Sequence, residues 1–150
     1  MHIYRLSKRK WANLLDGEGA RLHGGRWNLP GIPCIYAAES RALAVLEYTV
    51  NISIDDIPRD LVFARINVPS AAHVVHVPDL PGDWNHAPAP VSAKKFGSTL
   101  LNSHKHLIIR FPSVILPGEF NFIIDPLHPD FHKIEITGTE DFVYDIRIKG

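Results

Sequence analysis

A loop with two arginines, the tyrosine of a strand and the glutamate of a following helix fall within the 29 residues from Gly19 to Glu47, in the stretch GARLHGGRWNLPGIPCIYAAESRALAVLE. Arg21 and Arg26 flank the Gly24-Gly25 pair. Glycine lets backbone amides approach an anion, and the planar bidentate donors of arginine suit phosphate. Tyr36 can stack on a flat ring with its hydroxyl free to donate. Glu47 can stabilise a developing positive charge or bind a sugar hydroxyl. Phosphates, a flat ring and a ribosyl cation together describe NAD+ cleaved at its nicotinamide–ribose bond. That reaction passes through an oxocarbenium-like state and releases a neutral leaving group, so it needs no strong general acid. The same residues have a plainer reading, in which Arg26 and Glu47 form an internal ion pair and Tyr36 fills the core. Spacing alone leaves both open.

Other chemistries fit less well. The chain has nine histidines, and the pairs weighed as ligands are His104 with His106 and His128 with His132. Neither has a third ligand at suggestive spacing, so no metal site is expected. No G-x-S-x-G elbow is present, and the single cysteine, Cys34, lies in the apolar run Ile32–Ala38 as a small buried hydrophobe. The glycines of the loop enter a strand and not a helix, which excludes a dinucleotide fingerprint.

The elements that must position these residues follow from periodicity. His2–Leu6 alternates as a strand, with Ile3 and Arg5 on one side and Tyr4 and Leu6 on the other. A short helix is expected over Lys8–Leu15 with a Trp11, Leu14, Leu15 stripe, ended by the turn Asp16–Gly19. The loop Arg21–Gly31 leads into a buried strand, Ile32–Ala38. Ser40 caps a helix, Arg41–Asn51, on which Glu47 lies about 40° from Leu43, at the border of the apolar face. Further strands are expected at Leu61–Val68 and Ala72–Val77, then an irregular proline-rich segment, Pro78–Pro90, and a helix over Val91–Ser103 weakened by Gly97. The last third reads as strands at His106–Phe111, Ser113–Leu116, Glu119–Ile124, His132–Ile136 and Phe142–Ile148, broken at Gly138. Helices early and consecutive strands late indicate an α+β fold in one domain spanning residues 1–150.

Composition sets the outer limits. Lys+Arg and Asp+Glu each number 16 in 150 residues, so the formal charge is zero. A general binder of nucleic acid or membrane surface would carry a net basic face, and the cluster Arg5-Lys8-Arg9-Lys10 reads as a solvated helix end. One cysteine excludes an intrachain disulfide, and no apolar run reaches the ~20 residues of a membrane helix. A soluble, cytoplasmic protein is expected.

The run EGARLHGGRWNLPGIPCIYAAESRALAVLE resembles the signature of the RES-domain toxins, named for arginine, glutamate and serine. The similarity continues through DLPGDW and FPSVILPGEFNFIIDPLHPDF, and covers essentially the whole chain. Family members tend to read P-S-x-x-x-P-x-E-x-N followed by N-P-x-H-P; here Asp125 stands where Asn is usual, a change that keeps the turn chemistry.

The resemblance implies a fold similar to ADP-ribosylating toxins, with two small mixed or antiparallel sheets around an NAD+ cleft and flanking helices. It implies a type II toxin that degrades NAD+, first by phosphorolysis with inorganic phosphate as co-substrate, with hydrolysis or transfer to a protein or nucleotide as alternatives. No resident cofactor is implied, NAD+ being the substrate. The implied partner is an Xre-type helix-turn-helix antitoxin that covers the active site and supplies all nucleic-acid binding. A homodimer inside a larger toxin–antitoxin complex is compatible with this. Matched residue by residue, Arg26, Tyr36 and Glu47 carry the catalytic roles. Arg5, Arg21, Gly25, Ser113 and Asn121 bind substrate or line the pocket. Arg5 and Arg26 would hold the pyrophosphate or the attacking phosphate, and Ser113 would offer its hydroxyl to the nucleotide.

Overall fold

The computed structural model describes residues 1–69 and 71–149. Its framework is a seven-stranded sheet: β1 (His2–Lys8), β2 (Ile35–Ala38), β3 (Leu61–Asn67), β4 (His73–Val74), β5 (Ile108–Pro112), β6 (Phe120–Ile124) and β7 (Glu135–Phe142). The order across the sheet is β4-β5-β6-β2-β1-β3-β7. Every pairing is antiparallel except the parallel β4–β5 pair. Three helices, α1 (Glu18–His23), α2 (Arg41–Val50) and α3 (Val91–Ser103), complete an α+β architecture.

The two small sheets expected from the resemblance are joined into one. Their junction is narrow: β1 meets β2 through the single pair Tyr4↔Ala38, whereas β1 and β3 share seven pairs from His2↔Asn67 to Lys8↔Leu61. The strands diverge there because β2 has only four residues before Ser40 turns the chain into α2. The Ser40 side chain accepts from the Leu43 N–H at 3.1 Å, a cap that contributes about 1 kcal/mol.

Alternation then divides the side chains between two faces. One face packs Ile3, Ile35, Ala37, Ile66, Ile108, Phe122 and Ile124 against Leu15, Phe131 and Ile134. The other carries two separate clusters. Over β5 and β6, Trp27, Ala93, Leu101, Ile109, Phe111 and Ile123 pack together, so α3 and the Trp27 loop cover that half. Over β1 and β3, Leu6, Leu43, Ala44, Leu61, Phe63 and Tyr144 pack together beneath α2. Tyr36, Ala38 and Asn121 lie on this face between the clusters, as the register of β2 and β6 requires. They form the floor of a cleft.

Several expected elements differ; the strand expected at His132–Ile136, for one, is a 3₁₀ turn at Phe131–Lys133 that leads into β7. The helix over Lys8–Leu15 is absent: β1 runs on to Lys8 because β3 pairs with it to its end, and only a 3₁₀ turn at Arg9–Trp11 follows. Trp11 and Leu14 are exposed, and of the supposed stripe Leu15 alone packs on the sheet. Conversely, α1 arises inside the expected turn and loop, bracketed by Gly17 and Gly24, both at φ 72°. Ser113–Leu116 is a turn and not a strand, closed by the Leu116 N–H on Ser113 Oγ at 3.1 Å. Gly138 does not break the last strand. It sits within β7 opposite Arg65, next to a bulge between Arg65 and Ile66, and Phe142 ends a strand expected to begin there.

Candidate active site

The turn Gly25-Arg26-Trp27-Asn28 closes on itself through the Gly25 N–H on the Asn28 carbonyl at 3.1 Å. Its two central residues point in opposite directions. Trp27 is buried, stacked on Phe111 with centroids 4.0 Å apart at 12°. That leaves Arg26 directed outward over the cleft floor. Asn28, with no exposed surface, donates to the Ala20 and Ile32 carbonyls at 2.8 and 2.9 Å. Leu29 N–H donates to Ser98 Oγ at 2.9 Å, which ties the turn to α3.

Tyr36 locks this turn. Its hydroxyl donates to Asn28 Oδ1 at 2.6 Å and accepts from Trp27 N–H at 3.0 Å. A Cβ at Gly25 would lie 2.6 Å from the same hydroxyl oxygen, which explains the glycine. Burial pushes the Tyr36 phenol well above its ordinary range. The expected free hydroxyl is therefore committed inside the protein, to the two residues that follow Arg26. Its neighbour Cys34 is buried too, and its thiol is pushed up to about 12, chiefly by burial; it is no nucleophile.

Arg26 Nη1 donates to the carbonyls of Trp84 and His86, each at 2.8 Å. The proline-rich segment thus forms the rim of the cleft, and its carbonyls orient the guanidinium. Partial burial lowers the Arg26 pKa, opposed by Glu47 and Tyr36. The internal ion pair considered from the sequence does not form: no carboxylate among the described residues lies within ion-pair distance of Arg26.

Glu47 comes from α2 on the opposite wall. Ser113 Oγ donates to its Oε1 at 3.0 Å, and Asn121 Nδ2 donates to the same oxygen. Ser113 is 2% exposed. Its hydroxyl is spent on Glu47 and on the turn, which replaces the expected contact with a nucleotide. Among the described residues no donor reaches Oε2, so one carboxylate oxygen is fixed and the other is open to the cleft. A carboxylate held this way can face a developing cation, with Arg26 across the gap to hold an anion.

Two expected residues stand elsewhere. Arg5 lies on the Ile3 side of β1, opposite to the cleft, and donates to the Trp11 and Leu14 carbonyls at 3.1 and 3.0 Å. Its alternation with Tyr4 and Leu6 carries this signal in the sequence. Arg21 pairs with Glu18 on the outer side of α1. The sequence reading passed over Trp27 and Asn28, although both stand in the GGRWN run. It also missed the carbonyls of Trp84 and His86, which leave no mark in side-chain identity. Among the described residues no three His, Cys, Asp or Glu converge as metal ligands, and no helix is long and apolar enough to cross a membrane.

Comparison with known proteins shows the family. The RES domain profile matches residues 2–145. A Prs ADP-ribosylating toxin of Sphingobium sp. (strain YBL2) is 38% identical over 141 residues, covering 91% of this chain and 88% of that protein. Toxin Res of Photorhabdus laumondii is 36% identical over 152 residues, covering 99% and 97%. The fold is shared with a chain of the M. tuberculosis MbcT–MbcA toxin–antitoxin complex, with a TM-score of 0.78, 20% identity, and coverage of 95% and 84%.

Proposed function

The chain belongs to the RES-domain family, and from that premise we propose that it is a toxin that cleaves NAD+ at the nicotinamide–ribose bond, with inorganic phosphate as the acceptor. The observation that carries the reading is the pair of walls: a carboxylate with one oxygen fixed by Ser113 and Asn121, facing an arginine oriented by two carbonyls. In the reaction the C1″–N bond breaks and its electron pair returns to the pyridinium ring, so nicotinamide leaves neutral. Glu47 Oε2 stabilises the ribosyl cation. Arg26 holds the phosphate, whose oxygen forms the new bond to C1″ and gives ADP-ribose 1″-phosphate. Tyr36 acts by holding the Arg26 turn.

A second acceptor is favoured by the 38% identical relative named as a Prs ADP-ribosylating toxin: a protein side chain in place of phosphate. Water as acceptor gives a glycohydrolase. The partner is an antitoxin of the Xre helix-turn-helix class that covers the cleft, a reading supported by the relatives named Toxin Res and by the fold shared with a toxin–antitoxin complex. The site of action is the cytoplasm, where NAD+ is available.

The test is to incubate the purified protein with NAD+, with and without inorganic phosphate, and identify the products. ADP-ribose 1″-phosphate supports the first reading, a modified protein the second, and ADP-ribose the hydrolytic one. No loss of NAD+ under any condition, with antitoxin shown to be absent, overturns all three.

A further inference from the structure

Helix α2 carries Glu47 near its C-terminal end, and that end is held differently from the first turn. Leu43 and Ala44 are buried in the cluster over β1 and β3, whereas from 46 to 50 only Thr49 is buried. Thr49 stands two residues from Glu47, about 200° around the helix. One side of this turn thus faces the cleft, and the opposite side enters the protein through a single polar residue. A helix end with so little apolar burial frays unless other groups hold it.

Residues 143–149, which follow β7, supply those groups. The Thr49 hydroxyl donates to the Val45 carbonyl at 2.7 Å, so its proton is spent. The buried Tyr144 hydroxyl is therefore the donor to Thr49 Oγ1, at 2.5 Å. The Tyr144 ring stands edge-on to Phe142, and Phe142 is tilted against Phe63 of β3, with centroids 6.2 and 5.0 Å apart. Aromatic contacts thus carry the position of the sheet to the helix. Lys149 Nζ donates to the Thr49 carbonyl at 2.5 Å. The last turn of α2 has no basic residue of its own, so this ammonium, 100 residues away in the chain, meets the negative end of the helix dipole. Asn51 Nδ2 donates to the Glu47 carbonyl at 2.8 Å.

Glu47 is therefore held from two directions. Ser113 and Asn121 fix its carboxylate from one half of the sheet, and residues that follow β7 fix its helical turn from the other. We propose that Tyr144 and Lys149 are positioning residues for Glu47. Through Thr49 they set the rotation of the last turn of α2, and with it the reach of the carboxylate across the cleft. The inference rests on the reading of Glu47 as the group that faces the ribosyl cation, and it adds to that site a segment outside the Arg26 and Glu47 walls.

The test combines steady-state kinetics with carbon-13 NMR of the full chain labelled at its glutamate carboxyls, the Glu47 resonance being identified by its loss in Glu47→Gln. Tyr144→Phe removes one hydroxyl and Lys149→Met one charge. Each should lower kcat by about 10-fold or more with KM for NAD+ unchanged, and each should shift the Glu47 resonance. Thr49→Ser keeps the hydroxyl and should retain the wild-type kcat, whereas Thr49→Val should not. Arg147→Ala removes a cation from the same segment, one paired with Asp145, and should change neither readout. Circular dichroism establishes that each variant is folded. Three results overturn the proposal: a Glu47 resonance unmoved in Tyr144→Phe, an equal loss in Arg147→Ala, or a rise in KM in place of the fall in kcat. If the wild-type chain leaves NAD+ intact, the reading of the reaction fails, and the carboxyl resonance alone decides whether these residues position Glu47.

Discussion

Ser113 and Glu47 are 66 residues apart in the chain and 3.0 Å apart in the fold, the serine hydroxyl donating to the carboxylate oxygen Oε1. Asn121 donates to the same oxygen. The pair fixes the glutamate rotamer and leaves Oε2 for the reaction. Ser113 and Asn121 are thus positioning residues, and Glu47 is the group that meets the ribose. Glu47→Gln keeps the hydrogen-bonding shape but removes the charge, so NAD+ should still bind while turnover and toxicity are lost. Ser113→Ala and Asn121→Ala should each lower kcat by about 10²-fold, the cost of a small misplacement, with KM little changed. Steady-state kinetics and isothermal titration with NAD+ read both. Wild-type turnover in Glu47→Gln would sink the assignment.

Tyr36→Phe isolates the lock on the Arg26 turn. Removing the hydroxyl leaves the Trp27 N–H and Asn28 Oδ1 unpaired in a buried place, at a cost of about 1–3 kcal/mol. Denaturant unfolding should show that loss, and KM for NAD+ or phosphate should rise as Arg26 loses its aim. Unchanged stability together with a lower kcat alone would instead favour direct stacking of the ring on the substrate.

Gly97 on α3 runs against helix propensity. Alanine there would gain about 1 kcal/mol in an isolated helix. In the fold its Cβ would lie 2.0 Å from the Trp27 carbonyl oxygen. Gly97→Ala should therefore destabilise by about 1–3 kcal/mol net, the range for overpacking. Because the displaced residue adjoins Arg26, activity should fall further than stability requires. A variant as stable as the wild type would show that α3 does not press on this turn.

His106 stacks on His73 with centroids 3.9 Å apart. Burial first, then His73, Lys105 and His128, hold its pKa below the ordinary histidine value. The folded state therefore prefers neutral His106. The stabilisation is present above the unfolded pKa of about 6.5 and is lost as pH falls through the lower folded value. Urea midpoints measured from pH 7 down to pH 5 should decrease, and His106→Gln should flatten that dependence. An identical slope in the variant would place the titration elsewhere.

The sequence by itself determined what local rules govern. Ser40 capping and the 3.6-residue spacing of Leu43, Leu46 and Val50 defined α2 within a residue; alternation found β3, and a β-rich run between turn residues found β6, nearly to their ends. Arg26, Glu47, Ser113 and Asn121 could be named from motifs because their types and spacing repeat a recognisable pattern. Their partnerships could not. Whether Arg26 and Glu47 pair or face each other depends on α2 and the Trp27 turn standing on different halves of the sheet, and those halves touch through one pair, Tyr4↔Ala38. Ser113 reached Glu47, and Arg5 left the cleft for the Trp11 and Leu14 carbonyls, by register and sheet face. Helix α1 and the unbroken β7 likewise depended on neighbours: glycines that look like turns at short range become caps and bulges once another strand or loop lies against them. Hydrogen-bond partners far apart in the chain are set by packing, and packing is what a linear pattern does not contain.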